Sequence, residues 1–203
     1  MVMKPPEIES MNKKKGVKNT KFIKSRNQRV ARTRRQRGYN WEDTLVKRFN
    51  SVEGWKAFRL GSPSVGLPDI LAVSTKENTI YTIEAKSGTN TTLHVPYDQI
   101  QRCLKWVHTL DLYGTRKVII AFKFLSKKRI GTGKYEPRQL REYYKVWDES
   151  NHVTDFVCTY DGETYVVLDS GRAKLLLEDG HMPFPVRYSG ISHVKTRIDA
   201  SQI

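Results

Sequence analysis

The sequence predicts an α/β protein in which helices flank a mixed β-sheet, with a basic arm ahead of that core and a small β-rich extension behind it. Three stretches carry the prediction. Trp41, Leu45, Val46 and Phe49 recur at helical spacing up to about Asn50. Asp69–Thr75 and Thr79–Lys86 are apolar runs rich in β-branched residues, and Lys76-Glu77-Asn78 between them reads as the turn of an antiparallel hairpin. Lys117–Leu125 is apolar almost without a break from Val118 to Phe122, as expected of a strand covered on both faces in a mixed sheet.

The remaining elements follow in order. Asn40 is an expected N-cap for the first helix, with Asp43 three residues later as a weak capping-box partner. Gly54 breaks that pattern, and Trp55–Leu60 reads as a short strand. Gly61 to Pro68 is a loop rich in turn formers. After a Gly88–Thr92 loop, Pro96 suits the first turn of a second helix. One face of it carries Ile100, Cys103, Leu104, Val107 and Leu110, with Gln99, Arg102 and Trp106 along an edge. Past Lys127-Lys128-Arg129 the character changes. Val146-Trp147, Val153–Tyr160 and Thr164–Leu168 read as strands, Asp161-Gly162 as a hairpin turn, and the last thirty residues as irregular or short elements. The implied organisation is a largely disordered basic arm (1–38), a core (39–130) and an extension (131–203).

A chain of 203 residues holds one domain, or one with an appendage, and 38% hydrophobic content permits a real core. The formal net charge is +15. Thirteen Lys or Arg against only Glu7 and Glu9 fall in residues 1–40, so most of that excess is local. Such a cluster makes nucleic acid the leading partner, through neutralised phosphates and released counterions. Within it Arg32, Arg34, Arg35 and Arg37 are the expected DNA contacts. No long apolar span and no signal segment are read, so the expectation is a cytoplasmic, nucleoid-associated protein without a membrane partner. Two distant cysteines, Cys103 and Cys158, support neither a disulfide framework nor a zinc site. His94, His108, His152, His181 and His193 show no ligand spacing.

The chemistry concentrates in Pro68-Asp69 and Glu84-Ala85-Lys86. With the hairpin turn at its centre, Asp69 lies roughly opposite Ala85, and strand periodicity puts Glu84 and Lys86 on one face. Of twenty-one acids, Glu84 alone has Lys two positions on, and Ile80, Tyr81 and Ile83 before it place the charge near a core. Buried charges are usually paired or metal-bound. Two carboxylates and an ammonium suit metal-dependent phosphodiester hydrolysis, which needs an activated water and neutralised phosphate charge. Mg²⁺ prefers a few carboxylates plus waters and substrate oxygens. Asp69 and Glu84 are the expected ligands, the Ala85 carbonyl a backbone ligand and Glu42 a further one. Lys86 is expected to hold the attacking water and offset transition-state charge.

Gly38-x-x-x-Glu42, Arg59, Gly61-Ser62, Pro68-Asp69-Ile70-Leu71-Ala72 and Ile83-Glu84-Ala85-Lys86-Ser87, in that order, with Gln99 and Trp106 on the next helix, resemble the archaeal Holliday junction resolvases of the PD-(D/E)xK nuclease superfamily. The resemblance covers about residues 37–126. It implies a restriction-endonuclease-like fold, a homodimer, dependence on Mg²⁺ with Mn²⁺ as an alternative, and symmetric incision of four-way junctions in DNA recombination and repair. By that likeness Glu42, Asp69 and Glu84 are metal ligands and Lys86 the catalytic lysine. Ser62 or Ser64 is the loop serine near the scissile phosphate, and Arg59, Gln99 and Arg102 support the site or the DNA. Asp43 departs from the family's pattern, which favours a basic residue there. Two other readings compete: a nuclease of the same superfamily with restriction, flap or repair substrates, and a non-catalytic basic DNA-binding protein.

Overall fold

A computed structural model describes residues 9–60, 66–149 and 154–186, with side chains from Gln28 onward, Arg34 excepted. The chain divides into two compact units, Met1–Tyr39 and Asn40–Ile203. The first helix, α1, is Glu9–Asn50. A composition as polar as that of the first unit argues against an ordered element, yet its described residues are helical. Lys, Arg and Gln are good helix formers, and a helix satisfies its backbone hydrogen bonds internally without an apolar stripe. The N-cap expected at Asn40 is corrected. Asn40 lies inside α1, where its carbonyl accepts the Thr44 hydroxyl at 2.6 Å. The stripe of Trp41, Leu45 and Phe49 marks where the helix acquires a core to face, not where it begins.

In the second unit the elements after α1 are β1 (Trp55–Arg59), β2 (Ile70–Ser74), β3 (Thr79–Gly88), β4 (Thr92–Val95), α2 (Tyr97–Thr109), β5 (Thr115–Phe124), β6 (Lys127–Gly131), β7 (Lys134–Pro137), β8 (Arg141–Val146), β9 (Phe156–Thr159), β10 (Thr164–Leu168) and β11 (Gly171–Leu175). The main sheet has the order β1-β2-β3-β5-β8. It is mixed: β3 and β5 run parallel, and the other neighbours antiparallel. α2 supplies the crossover a parallel pair requires. A second sheet, β11-β10-β9-β4, and a separate two-stranded ribbon, β6-β7, complete the fold. The α/β expectation therefore holds.

Alternation along the strands divides the core. Trp41, Leu45 and Phe49 pack with Ile83, Ala85, Ile119 and Ala121 on one face of the main sheet. Ile120, Phe122 and Phe124 face the other way, onto Ile100, Cys103 and Val107 of α2 and onto Phe156 and Cys158 of β9. Burying Leu45 or Phe49 contributes roughly 1.5–3 kcal/mol each. Trp147 and Phe156 are core residues, 3% and 0% exposed. α1 is also tied to β8 by charge. The Arg48 guanidinium donates to both oxygens of the fully buried Glu142, at 2.6 and 3.1 Å, and to the Tyr144 hydroxyl at 2.9 Å.

The β-rich stretch after residue 131 enters the fold twice: β8 lies in the main sheet, and β9 pairs with β4. β4 itself occupies residues expected to lead from a loop straight into a helix, because its partner is sixty residues distant and leaves no local signal. Tyr97 at the start of α2 donates its backbone N–H to Asp155 at 2.7 Å, so the strand side of the fold also caps that helix. Gly162, with φ +85°, closes the β9–β10 hairpin as its turn residues predict, and a Cβ there would meet the Tyr143 ring at 2.6 Å. Among the described residues no helix is long and apolar enough to cross a membrane.

Candidate active site

The β2–β3 hairpin closes on Ser74↔Thr79, with a four-residue turn in which Asn78 adopts φ 48°. The expected register is therefore corrected by one residue. Ile70 pairs with Ile83, so continuing the ladder sets Asp69 across from Glu84, not Ala85. The turn includes Thr75, which its β-branched side chain had assigned to the strand. Asp69 nonetheless reaches the triplet, because its Oδ2 accepts the Ala85 backbone N–H at 2.9 Å. Pro68 contributes no N–H at the strand's approach and is itself buried.

Glu84 and Lys86 pair with Ile120 and Phe122 of β5, residues on the α2 side of the sheet. The Glu84 side chain is 1% exposed there, and its Oε1 accepts the Lys86 ammonium at 2.6 Å. Its Oε2 is buried and accepts no hydrogen bond. The Arg102 guanidinium lies 3.8 Å from Oε2, beyond hydrogen-bond reach. Burial pushes Glu84 up from 4.5 to about 7, opposed by Lys86, reinforced by Asp69 and opposed again by Arg102. Glu42, also buried, rises to about 7 through burial and then through Asp69, with Arg59 opposing and Glu84 adding to the rise. Three carboxylates from α1, the β2 approach and β3 therefore lie within one another's fields, and the cations at hand do not neutralise them.

Arg59 ends β1 and pairs with Asp43 at 3.3 Å, which gives the unexpected acid at position 43 a partner. Gln99, in the first turn of α2, is half-buried, and its side-chain oxygen has no hydrogen-bond partner among the described residues. Arg102, expected at the DNA, turns inward. It donates to the Leu67 carbonyl at 3.1 Å, and one turn later Trp106 Nε1 donates to the Gly66 carbonyl at 2.9 Å. These two side chains fasten the segment just before Pro68-Asp69 to α2. The helical spacing placed both on one edge, but nothing local to α2 names a loop thirty-five residues earlier as their acceptor. Ser62 and Ser64 lie outside the described residues. Arg32, Arg35 and Arg37 belong to the helical first unit, and the side chain of Arg34 is among those not described.

Among the described residues no group of three or more His, Cys, Asp or Glu side chains is arranged to hold a metal ion by itself. The donors that are present still fit a hard divalent cation. The orphaned Glu84 Oε2, the adjacent Asp69 and the raised Glu42 would all gain from added positive charge, and Mg²⁺ needs a few carboxylates, not a closed protein cage, completing its shell with water and phosphate oxygens.

A family model described as archaeal Holliday junction resolvase (Hjc) matches residues 33–166, from within α1 to β10. Among solved structures, Hjc of the archaeal hyperthermophile Archaeoglobus fulgidus, a Holliday junction resolvase, is similar at 16% identity and a TM-score of 0.42, over 61% of this chain and 84% of that one. No curated protein matches the chain.

Proposed function

Since the chain belongs to the archaeal Holliday junction resolvase family, we propose that it is a Mg²⁺-dependent endodeoxyribonuclease, with Mn²⁺ as an alternative ion, that resolves four-way DNA junctions by paired symmetric hydrolysis. The observation that carries the reading is Glu84: an almost fully buried carboxylate with one oxygen on Lys86 and the other unpartnered, beside Asp69. A charge left in that state is costly unless a ligand completes it.

Asp69 and Glu84, with Glu42 and the Ala85 carbonyl, would hold the ion. Bound there, the ion supplies phosphate charge neutralisation and a more acidic water. The chain's own groups do the rest. Lys86 Nζ, fixed by Glu84 Oε1, presents its remaining N–H donors toward the attacked phosphate and offsets the charge that develops there. The Ala85 N–H orients Asp69 through Oδ2 and leaves Oδ1 for the ion. Arg102 and Trp106 hold the Gly66–Leu67 backbone, which limits how far Asp69 can move. Ser62 or Ser64 serves the scissile phosphate from the loop ahead. One such site cuts one strand, so paired cuts in a symmetric junction need two copies, and we assign the working form as a homodimer. The basic residues Arg32, Arg34, Arg35 and Arg37 hold the arms of the junction, in the cytoplasm, during recombination and repair.

Cleavage of a labelled four-way junction, against duplex and flap controls, tests this. Asp69→Ala and Lys86→Ala should lower the Mg²⁺-dependent rate by at least about a thousandfold, the scale of a lost electrostatic or acid–base contribution, while junction binding persists. Cutting at the wild-type rate by either variant, or equal cutting of all three substrates by the wild type, defeats the proposal.

A further inference from the structure

The β6–β7 ribbon belongs to neither larger sheet, and of Lys127 to Pro137 only Lys128 and Gly131 are even half-buried. A two-stranded ribbon is marginal alone, and this one is fastened at its root. Arg138 Nε donates to the Leu125 carbonyl at 2.8 Å, and its two terminal nitrogens donate to Asn90 and Gly88 at 3.1 and 3.3 Å. Its guanidinium also lies 4.6 Å from the Tyr160 ring and 5.6 Å from that of Phe124. The backbone adds Leu125 N–H to Gly88 and Arg129 N–H to Thr89, each 2.9 Å. Gly88 ends β3, two residues beyond Lys86, on the order of 7 Å along the strand. The ribbon is thus rooted at the end of the strand that carries the candidate catalytic lysine and is on the order of 15 Å long.

Its side chains have the chemistry for that task. Lys127, Lys128 and Lys134 make no ion pair among the described residues. Near the Gly131-Thr132-Gly133 tip, Ile130 and Tyr135 are 50% and 44% exposed, which sets an aliphatic and an aromatic side chain beside the lysines. A bulge between Arg129 and Gly131 breaks the ladder there, as a ribbon re-aiming its tip requires. Lysines that meet phosphates and an aliphatic–aromatic tip that meets unstacked bases are how ribbons and wedges engage deformed DNA.

Resting on the resolvase reading above, we infer that β6–β7 is a second DNA contact: Lys127, Lys128 and Lys134 hold phosphates of an arm, and Ile130 and Tyr135 pack on the bases exposed at the branch point. The test measures binding of the full chain carrying Asp69→Ala, which removes cleavage from the readout, to a four-way junction and to linear duplex across a salt series. Adding Lys127→Glu, Lys128→Glu and Lys134→Glu should weaken both by tenfold or more and reduce the slope of log K against log salt by about 3, at ~0.9 per phosphate contact. Adding Tyr135→Ala and Ile130→Ala should weaken junction binding about tenfold, leave duplex binding unchanged, and abolish quenching of a 2-aminopurine placed at the branch. Wild-type affinity and slope in the lysine variant, or equal effects of the tip variant on junction and duplex, overturns the inference. The cleavage result is separate. A chain that binds through the ribbon with the expected slope and tip selectivity but never cuts junctions refutes the catalytic proposal and not the ribbon.

Discussion

Glu84 makes the stability of the metal-free protein run opposite to that of most proteins between pH 5 and 8. Its carboxyl titrates near 4.5 in an unfolded chain and at about 7 in the fold, mainly because the side chain is 1% exposed. The native state therefore binds more protons than the unfolded state across that interval, and stability falls as pH rises. The contribution is fully present below 4.5, declines through the interval and is gone above about 7. At ~1.4 kcal/mol per pH decade the loss is about 3 kcal/mol, and Glu42, shifted in the same direction, adds to it. Glu84→Gln keeps the shape and cannot ionise. Lys86, 20% exposed, then loses its ion-pair partner but keeps some contact with water. Urea midpoints of wild type and Glu84→Gln, taken in chelator from pH 4.5 to 8.5, should diverge with pH, the variant becoming the more stable at the alkaline end by about 3 kcal/mol. Adding Mg²⁺ at pH 8 should restore the wild type, by ~2.7 kcal/mol at a hundred times its Kd, and leave the variant less affected. Parallel pH profiles for the two proteins refute the argument, since then Glu84 binds its proton no more tightly in the fold than in the unfolded chain.

Two further outcomes follow from the contacts around that site. Arg48→Met strands Glu142, whose side chain is fully buried and keeps only Lys123 at 3.7 Å and a long Tyr144 hydroxyl contact at 3.4 Å, so unfolding should show a loss of about 3–5 kcal/mol, most of it recovered in Arg48→Met/Glu142→Leu. Arg102→Met removes the tie to Leu67 and the cation near Glu84, so the single-turnover rate should fall about tenfold at unchanged junction Kd, with Arg102→Lys partly restoring it; a raised Kd at an unchanged rate would return Arg102 to the DNA surface.

What the sequence made legible is what depends on neighbours along the chain. The alternation through Ile83-Glu84-Ala85-Lys86 placed Glu84 and Lys86 on one face, and they stand 2.6 Å apart. The unbroken apolar run from Val118 to Phe122 called for cover on both faces, and each of those residues is buried. What it hid depends on distance. The register of β2 and β3 turned on whether Thr75 belonged to a strand or a turn, a choice β-branching alone decides wrongly when a four-residue turn fits. β4 is a short, polar-flanked piece that acquires strand character only from its distant partner β9. The inward turn of Arg102 is of the same kind: a basic residue on a helix edge of a DNA enzyme suggests phosphate, while its acceptor is a carbonyl in another part of the chain.

The same distinction explains the ribbon. In the sequence Lys127-Lys128-Arg129 marks only where the character changes, because its context, the end of β3, lies about forty residues upstream. Arg138, spanning Gly88, Asn90 and Leu125, together with the Leu125 and Arg129 backbone N–H groups on Gly88 and Thr89, roots those lysines at the end of β3 that follows Lys86. Arg138 is therefore the residue on which geometry and function meet, and its replacement separates them. Arg138→Met keeps every ribbon lysine, both tip residues and the backbone ties but loses the three side-chain bonds that steady the root. If position relative to Lys86 is what matters, that variant should lose junction selectivity as Tyr135→Ala/Ile130→Ala does, yet keep the wild-type salt slope on duplex, because the charges remain available to phosphates while the tip no longer arrives at the branch.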